Sequence, residues 1–283
     1  MKKKTYLFAL MAMALTLGSC SDNENGIGGE TSKYITVSTS IGNMTRVATD
    51  ANGGQTFEEG DEISVYAWTG DATVAPETRE RVVNNAINKL TNGSWISNPQ
   101  MLWKNNRDKH YFIGVYPISA ISDLSAGEYT FDETKQVESD LLVAVNKDGL
   151  SYNVDEQQTV PLTFTHVMAK LAVNLTYKNQ WGGIPTVEKV VVGNAAKEAT
   201  INYLTKVVTP SATAKEDFSL PEITENTKYV SVIIPQEDVK QLTIVIGGKN
   251  FVYDNGTPFK LESGKITTVN LEVGRDEIKL GDV

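Results

Sequence analysis

The sequence is short of the residues on which most cross-linking and much catalysis depend. It holds one cysteine, Cys20, so no disulfide can close within the chain and no thiolate cluster can bind a metal; stability must come from packing. It has only two histidines, His110 and His166, far apart along the chain. There is no H-E-x-x-H, no D-x-D-x-D-G calcium loop, no P-loop and no G-x-S-x-G elbow, and each absence weakens an enzymatic reading. Positive charge is scarce as well. Against 35 Asp and Glu stand 26 Lys and Arg, a formal charge of −9, and no basic stripe interleaved with aromatics occurs. The sequence-independent attraction to phosphate that nucleic-acid binders need is therefore missing. The N-terminal apolar run, residues 6–17, is too short to span a bilayer as a stable helix.

That run reads as an export signal. Lys2, Lys3 and Lys4 form a positive start, residues 6–17 the apolar middle, and Leu17-Gly18-Ser19-Cys20 the end. An ordinary secretory peptide is one reading, but the only cysteine stands where the Leu-x-small-Cys lipobox of bacterial lipoproteins puts it. Leu17 and Ser19 would then serve recognition, and Cys20 would carry the lipid. Loss of residues 1–19 takes three lysines away and moves the formal charge from −9 to −12. Residues 20–33 are polar and Gly-rich, without apolar periodicity, and read as a lipidated, flexible tether.

From residue 34 the texture is that of β-structure in a chain whose 40% hydrophobic residues suffice for one large or two ordinary cores. Ile35, Val37 and Ile41 alternate with Thr36, Ser38 and Ser40, a half-buried first strand ending at Gly42-Asn43. A loop of turn-formers and hydroxyl residues follows, exposing Arg46, before a second strand over 63–68. Residues 79–90 are ambiguous: Val82, Val83, Ala86, Ile87 and Leu90 fit a helical stripe, whereas Asn84, Asn85, Asn88 and TNGSW fit two strands and a turn. Aromatic and β-branched runs follow at Met101-Leu102-Trp103, HYFIGVYP and DLLVAVN. Further strands are expected over 170–177, 187–192, 229–234, 242–246, 251–254 and 266–273, with turns at Gly182-Gly183, Gly247-Gly248 and Asp254-Asn255-Gly256. No convincing helix of useful length appears. Short strands with frequent turn signals indicate an all-β protein of two β-sandwich domains, expected over 34–165 and 166–283.

The stretch LTFTHVMAKLAVNLTY, residues 162–177, organises this division. Leu162, Phe164, His166 and Met168 share one face, while Leu171, Val173, Leu175 and Tyr177 share a face one residue out of step. A one-residue slip turns the apolar face over, so either a bulge lies near Ala169 or the strand leaves one core and enters another. The second reading is preferred, and it makes Phe164, His166 and Lys170 residues of a domain junction.

The candidate chemistry is sparse. His166 could act as a general base beside a serine and an aspartate, but a packed, hydrogen-bonded histidine is the stronger reading. Glu58-Glu59 and Asp61-Glu62 could hold a hard cation, although a solvated turn explains them better. No metal, cofactor or catalytic residue is expected. The Asn-x-Ser/Thr triplets at Asn43, Asn92 and Asn174 are short patterns that chance supplies.

Taken together, certain residues resemble the fimbrillin-like proteins of Bacteroides and its relatives. These are the lipobox at Cys20, ITVSTSI followed by Thr45-Arg46, Glu59-Gly60-Asp61 leading into ISVYAW, Trp95 and Trp103 before YFIGVYP, Asp140-Leu141-Leu142-Val143-Ala144, and Phe164-x-His166-x-x-Ala169-Lys170. The resemblance implies transthyretin-like sandwiches, strand rather than helix over 82–90, an outer-membrane lipoprotein, and assembly of copies or related pilins into a surface fimbria by strand exchange. It further implies that an arginine-specific protease cuts at Arg46, freeing the strand of Ile35, Val37 and Ile41 for displacement. The alternating pattern of Val269, Leu271 and Val273, continued by Ile278 and Leu280, marks the candidate donor strand. An anchor or tip subunit, or a free-standing ligand-binding surface lipoprotein, are the alternatives, because no long aromatic-bearing segment follows VGRDEIKLGDV.

The lipid is directly testable. Burial of acyl chains contributes about 0.8 kcal/mol per methylene, so two chains anchor where one does not. Cys20→Ala should leave the membrane fraction on fractionation with a high-salt wash; retention of the variant would contradict the lipobox.

Overall fold

Nineteen strands and two single 3₁₀ turns, Thr78–Glu80 and Asn179–Trp181, make up the secondary structure of the computed structural model, which describes residues 33–42, 56–156 and 158–281. In the first half these are β1 (Thr36–Ile41), β2 (Glu62–Thr69), β3 (Arg81–Thr91), β4 (Ser94–Asn98), β5 (His110–Tyr116), β6 (Gly127–Thr130), β7 (Leu142–Leu150) and β8 (Thr159–His166). In the second they are β9 (Ala169–Tyr177), β10 (Lys189–Ala196), β11 (Glu198–Asn202), β12 (Val207–Pro210), β13 (Lys215–Ser219), β14 (Glu222–Thr224), β15 (Lys228–Ile233), β16 (Gln241–Ile246), β17 (Lys249–Asp254), β18 (Ile266–Val273) and β19 (Ile278–Leu280).

Seven strands form one sheet in the order β1-β8-β7-β5-β2-β3-β4. Its inner face encloses a core that includes Val37, Val65, Phe112, Ala144, Leu162 and Phe164. The sheet curls so far that its two ends approach, and Trp95 of β4 donates its indole N–H to Thr39 Oγ1 of β1 at 2.9 Å. Phe164 lies against β5 at Gly114, where a Cβ would stand 2.7 Å from the phenyl Cζ; only glycine leaves room for the ring there. The outer faces of β2, β5 and β7 are buried too, with Tyr66, Trp68, Ile113, Val115 and Val143 in the second core. Burial on both faces explains why ISVYAW and YFIGVY read as nearly continuous apolar runs rather than as alternations.

The second core lies among three sheets: β13-β10-β16-β17, β14-β15-β9-β18-β19 and β12-β11-β6. Its strands pair mostly antiparallel, with β9 and β18 parallel from Ile266↔Lys170 to Val273↔Tyr177. The last of the three sheets crosses the sequence halves, because β6 pairs with β11 from Glu198↔Thr130 to Ile201↔Gly127. Beside it Phe131 packs its ring 4.9 Å from that of Phe218, and its N–H bonds Lys197 O at 2.8 Å. The two cores belong to one compact unit, Thr31–Val283.

Of the ambiguous residues 79–90, Arg79 and Glu80 close a 3₁₀ turn and 81–90 are strand, and the cause of the ambiguity is visible. Arg81 and Val83 face inward, Asn85 takes the left-handed conformation at φ 53°, and Ala86 and Asn88 then face inward again. Two period-two stretches offset by one residue imitate helical spacing, and asparagine tolerates the φ that joins them. Asn92-Gly93 and Gly247-Gly248 carry positive φ at both positions and close two-residue hairpins. The run 162–177 divides as the phase slip requires: β8 ends at His166 in the seven-stranded sheet and β9 begins at Ala169 in another. Two expectations need correction. Met101-Leu102-Trp103 forms only an isolated bridge, Tyr34↔Leu102, and the region 198–224 holds four strands that its polar, Thr-rich sequence conceals.

The crossing at β6 predicts cooperative unfolding. Phe131→Ala should cost about 3–5 kcal/mol through the cavity it leaves. Urea denaturation followed by near-UV and far-UV signals should shift as one transition; separate transitions in the two halves would contradict it.

Candidate functional site

The strand β1 lies at the edge of the seven-stranded sheet. It runs parallel to β8 from Thr36↔Thr159 to Ile41↔Phe164, and Gly42 N–H continues the ladder to Phe164 O at 2.8 Å. Ile35 and Val37 are buried in the first core, whereas Ile41 is only partly covered, which narrows the apolar anchorage expected of the strand. Two full burials contribute about 3–6 kcal/mol. The intervening Thr36 and Ser40 hydroxyls bond to Thr159 and Thr163 of β8 at 3.1 and 3.2 Å. Among the described residues no strand pairs with the other side of β1; just before it, Ile35 N–H donates to Met101 O at 3.0 Å and Trp103 N–H to Lys33 O at 3.2 Å. A groove of about 910 Å³ runs there, between β1 and β4, with Trp95 and Phe57 among its walls. Thus β1 is a full participant in the core, and among the described residues its own strand partner lies along one side only, the other side being tied at its start by Ile35 N–H to Met101 O and at Thr39 by Trp95.

Behind β1, at the far end of β8, lies the junction. His166 and Lys170 converge on Asp140, at the start of the DLLVAVN run, which the sequence offered only as part of a strand motif and not as a junction residue. His166 Nδ1 donates to Asp140 Oδ1 and Lys170 Nζ to Asp140 Oδ2, both at 2.8 Å. The His166 side chain is 2% exposed. Burial opposes ionisation of Asp140, but the hydrogen bond from His166 and the charge of Lys170 outweigh it and hold the carboxyl below its ordinary range. Next to this triad, Val167 N–H bonds Leu141 O at 3.0 Å and Ser263 Oγ donates to Val167 O at 2.9 Å. The two-residue link between β8 and β9 is therefore held from both cores. Phe164 is not part of the triad; it packs in the first core, edge-on to Phe57 at 5.1 Å.

The triad borders a cleft of about 940 Å³ between the two cores. Among the described residues no serine lines it, so the serine expected beside a histidine acting as general base does not line this cleft. His110 is structural as well: its Nε2 accepts Lys104 N–H at 3.0 Å, Nδ1 lies 3.1 Å from Asp108 O, and Trp103 stands edge-on to the ring. The acidic turn is occupied by local contacts. Asp61 accepts Glu58 N–H, Glu59 accepts Asn92 N–H, and Glu62 pairs with Lys89.

Val269, Leu271 and Val273 lie in β18, bonded on one side to β9 and on the other to β19, with all three side chains in the second core. They are integral to this fold's own sheet, which narrows the expectation of a free donor segment. Ile278 and Leu280 belong to β19, at the sheet edge, with Leu280 exposed. Leu17, Ser19, Cys20 and Arg46 lie outside the described residues; Gly42 and Thr56 flank the segment that carries Arg46.

A family model described as fimbrillin-like matches residues 45–283. The chain belongs to the fimbrillin-like family. A Bacteroides uniformis protein provisionally described as fimbrium subunit Fim1C is 26% identical over 247 residues, covering 83% of this chain and 76% of that protein. Crystal structures of two proteins provisionally described as cell adhesion proteins, from Bacteroides ovatus and Bacteroides uniformis, share the fold. Both are 17% identical, with TM-scores of 0.64 and 0.65, covering 89% and 88% of this chain and 96% and 95% of theirs. The fimbrillin-like family is one of structural fimbrial proteins and not of enzymes, and membership supports a pilus subunit at the cell surface.

The triad carries two expected outcomes. His166→Ala should lower stability by about 1–3 kcal/mol through the unsatisfied partner it leaves. Because the folded pKa of Asp140 is depressed, its contribution is complete above the unfolded value near about 4 and is lost as pH falls through the folded value. Asp140→Asn should therefore unfold more easily at neutral pH and lose part of the acid-induced decline; denaturation midpoints measured across pH 2 to 7, on the order of ten points, check both.

Proposed function

We propose that this fimbrillin-like chain is a structural subunit of a surface pilus, exported as a lipoprotein through Cys20 and activated by cleavage at Arg46. Two domains, 34–165 and 166–283, would share the work: the first offers the exchangeable edge, the second stays intact. The observation that carries the reading is the placement of β1. Among the described residues it pairs with a strand on one side, with a single bridge to residues 101–103 at its start; it is anchored by Ile35 and Val37 and followed after Gly42 by the segment bearing Arg46. Cleavage there leaves the strand held by noncovalent contacts alone. A strand with the same alternation then replaces it on β8, where main-chain bonds supply affinity and the pockets of Ile35 and Val37 supply register. Self-capping by β1 keeps the precursor from pairing before it is processed.

The interior position of β18 supports a second reading, an anchor or tip subunit that accepts a strand without donating one. On the first reading the donor is centred on Ile278 and Leu280, since peeling β18 away would open the second core.

Treating purified precursor with an arginine-specific protease tests both. N-terminal sequencing should find a new terminus after Arg46, and size-exclusion chromatography should show oligomers that fail to form when the residues after Gly274 are deleted. Cleavage and assembly that survive that deletion favour the accepting subunit. An Arg46 left uncut under native conditions contradicts processing altogether.

A further inference from the structure

The inward row of β1 carries one polar side chain. Ile35, Val37, Thr39 and Ile41 alternate on that face, and the parallel register sets Val37, Thr39 and Ile41 beside Val160, Leu162 and Phe164 of β8, all three buried. Thr39 alone interrupts the apolar row. Its Oγ1 accepts the Trp95 indole N–H, the bond that joins β1 to β4 across the groove. Trp95 is held where it stands: it pairs with Leu90 of β3, packs against the first core, and has Phe57 edge-on to its ring at 5.3 Å. An indole N–H can only donate, so a strand that covers it and strips its water must offer an acceptor. Among the described residues no charged side chain lines the groove. Apolar alternation by itself leaves the register of a replacing strand open, because a slip by two residues keeps every face and sets apolar side chains in the pockets of Ile35 and Val37 again. A fixed donor one step beyond those pockets removes that freedom.

We propose that Trp95 selects the strand that replaces β1, admitting one with a hydrogen-bond acceptor at the place of Thr39, and that residues 278–282 of a second copy of the chain supply it. The proposal rests on the strand-exchange reading above and adds the residue that sets its register and its partner. Entering in the direction of β1, Ile278 and Leu280 take the places of Ile35 and Val37, and the next inward place falls to Asp282, which lies beyond the described residues. Its carboxylate accepts the indole N–H, and a bond to a charged acceptor is stronger than the one Thr39 makes. Lys279 and Gly281 fall at the outward places of Thr36 and Ser38. A slip by two residues is excluded, because it would put Asp282 in the buried pocket of Val37. The row Val269, Leu271 and Val273 fails the same requirement: its third member is apolar and leaves the N–H without an acceptor.

Full-length protein cut after Arg46 is titrated with labelled peptides of residues 34–42, native or with Thr39→Val, and of residues 276–283, native or with Asp282→Leu, and entry is read as peptide retained on size-exclusion chromatography. Each native peptide should enter about tenfold more tightly than its apolar form. Valine and leucine are the more apolar residues, so burial alone predicts the opposite order and the sign separates the two accounts. Trp95→Phe keeps an aromatic ring beside Phe57 and drops the N–H; it should bring each pair within about twofold. The Thr39→Val peptide should enter that variant at least as tightly as it enters the native protein, which a misfolded variant would not allow. A preference for the apolar forms, equal entry of native and apolar forms, or a preference that survives Trp95→Phe would overturn the proposal and leave strand exchange standing. An uncut Arg46, or entry of neither native peptide, would overturn strand exchange and this proposal with it.

Discussion

The structure depends on the exchange of cores between His166 and Ala169. A strand that buries Leu162 and Phe164 in one core must release its sheet, turn over and bury Leu171, Val173 and Leu175 in another. That requires two peptide units with no ladder of their own, and such units need other partners if they are to be buried. Leu141 O and Ser263 Oγ supply partners for Val167, while Asp140 fixes the side chains on either side of the link. The arrangement couples three segments that are distant in sequence. A carboxylate held by two donors in a sheltered place is also a device that fails as a unit, because removing one member leaves the others buried without compensation.

Given that link, the two halves acquire comparable openings and opposite fates. In the first half the opening strand β1 pairs in parallel with β8; in the second the opening strand β9 pairs in parallel with β18. The likeness ends at the next neighbour. The other edge of β9 is taken by β15, over six paired residues from Lys228↔Asn174 to Ile233↔Ala169. The other edge of β1 faces a groove, bridged by the side chains of Trp95 and Thr39. Removing β9 would dismantle a sheet, whereas removing β1 uncovers one groove of it. On the proposed reading the subunit would expose a templating edge without losing its second core, and β6, paired into the sheet of β11 and β12, would hold the halves together meanwhile.

Much of this was legible in the sequence, and what was not has physical causes. The phase slip across residues 162–177 disclosed the change of core because period-two alternation admits no compromise at a flip of face. The six second-half strands expected from apolar runs are close to β9, β10, β15, β16, β17 and β18. Asp140 stayed hidden because one acid before an apolar run looks like a strand cap, and its partners are 26 and 30 residues away. β12, β13 and β14 stayed hidden because they are edge strands that expose Thr, Lys and Glu, and β11, though central in its sheet, is only five residues long and buries just Ala199 and Ile201. The interior position of β18 was hidden for the opposite reason: alternation reveals that a strand is half-buried, not which neighbours bury it. Likewise the helix-like spacing of residues 81–91 was an artefact of a single left-handed asparagine.

The central claim is that β1 is a separable part of its core and β9 is not. Native-state hydrogen exchange measured as a function of denaturant tests this most directly, since it reads the opening free energy of each amide in the intact protein. The account predicts that the β1 amides bonded to β8 exchange through a local opening at a free energy well below that of the β9 amides, which open only with the whole molecule. Equal opening energies for β1 and β9, with the same denaturant dependence, would show that β1 leaves only when everything unfolds and would contradict the account.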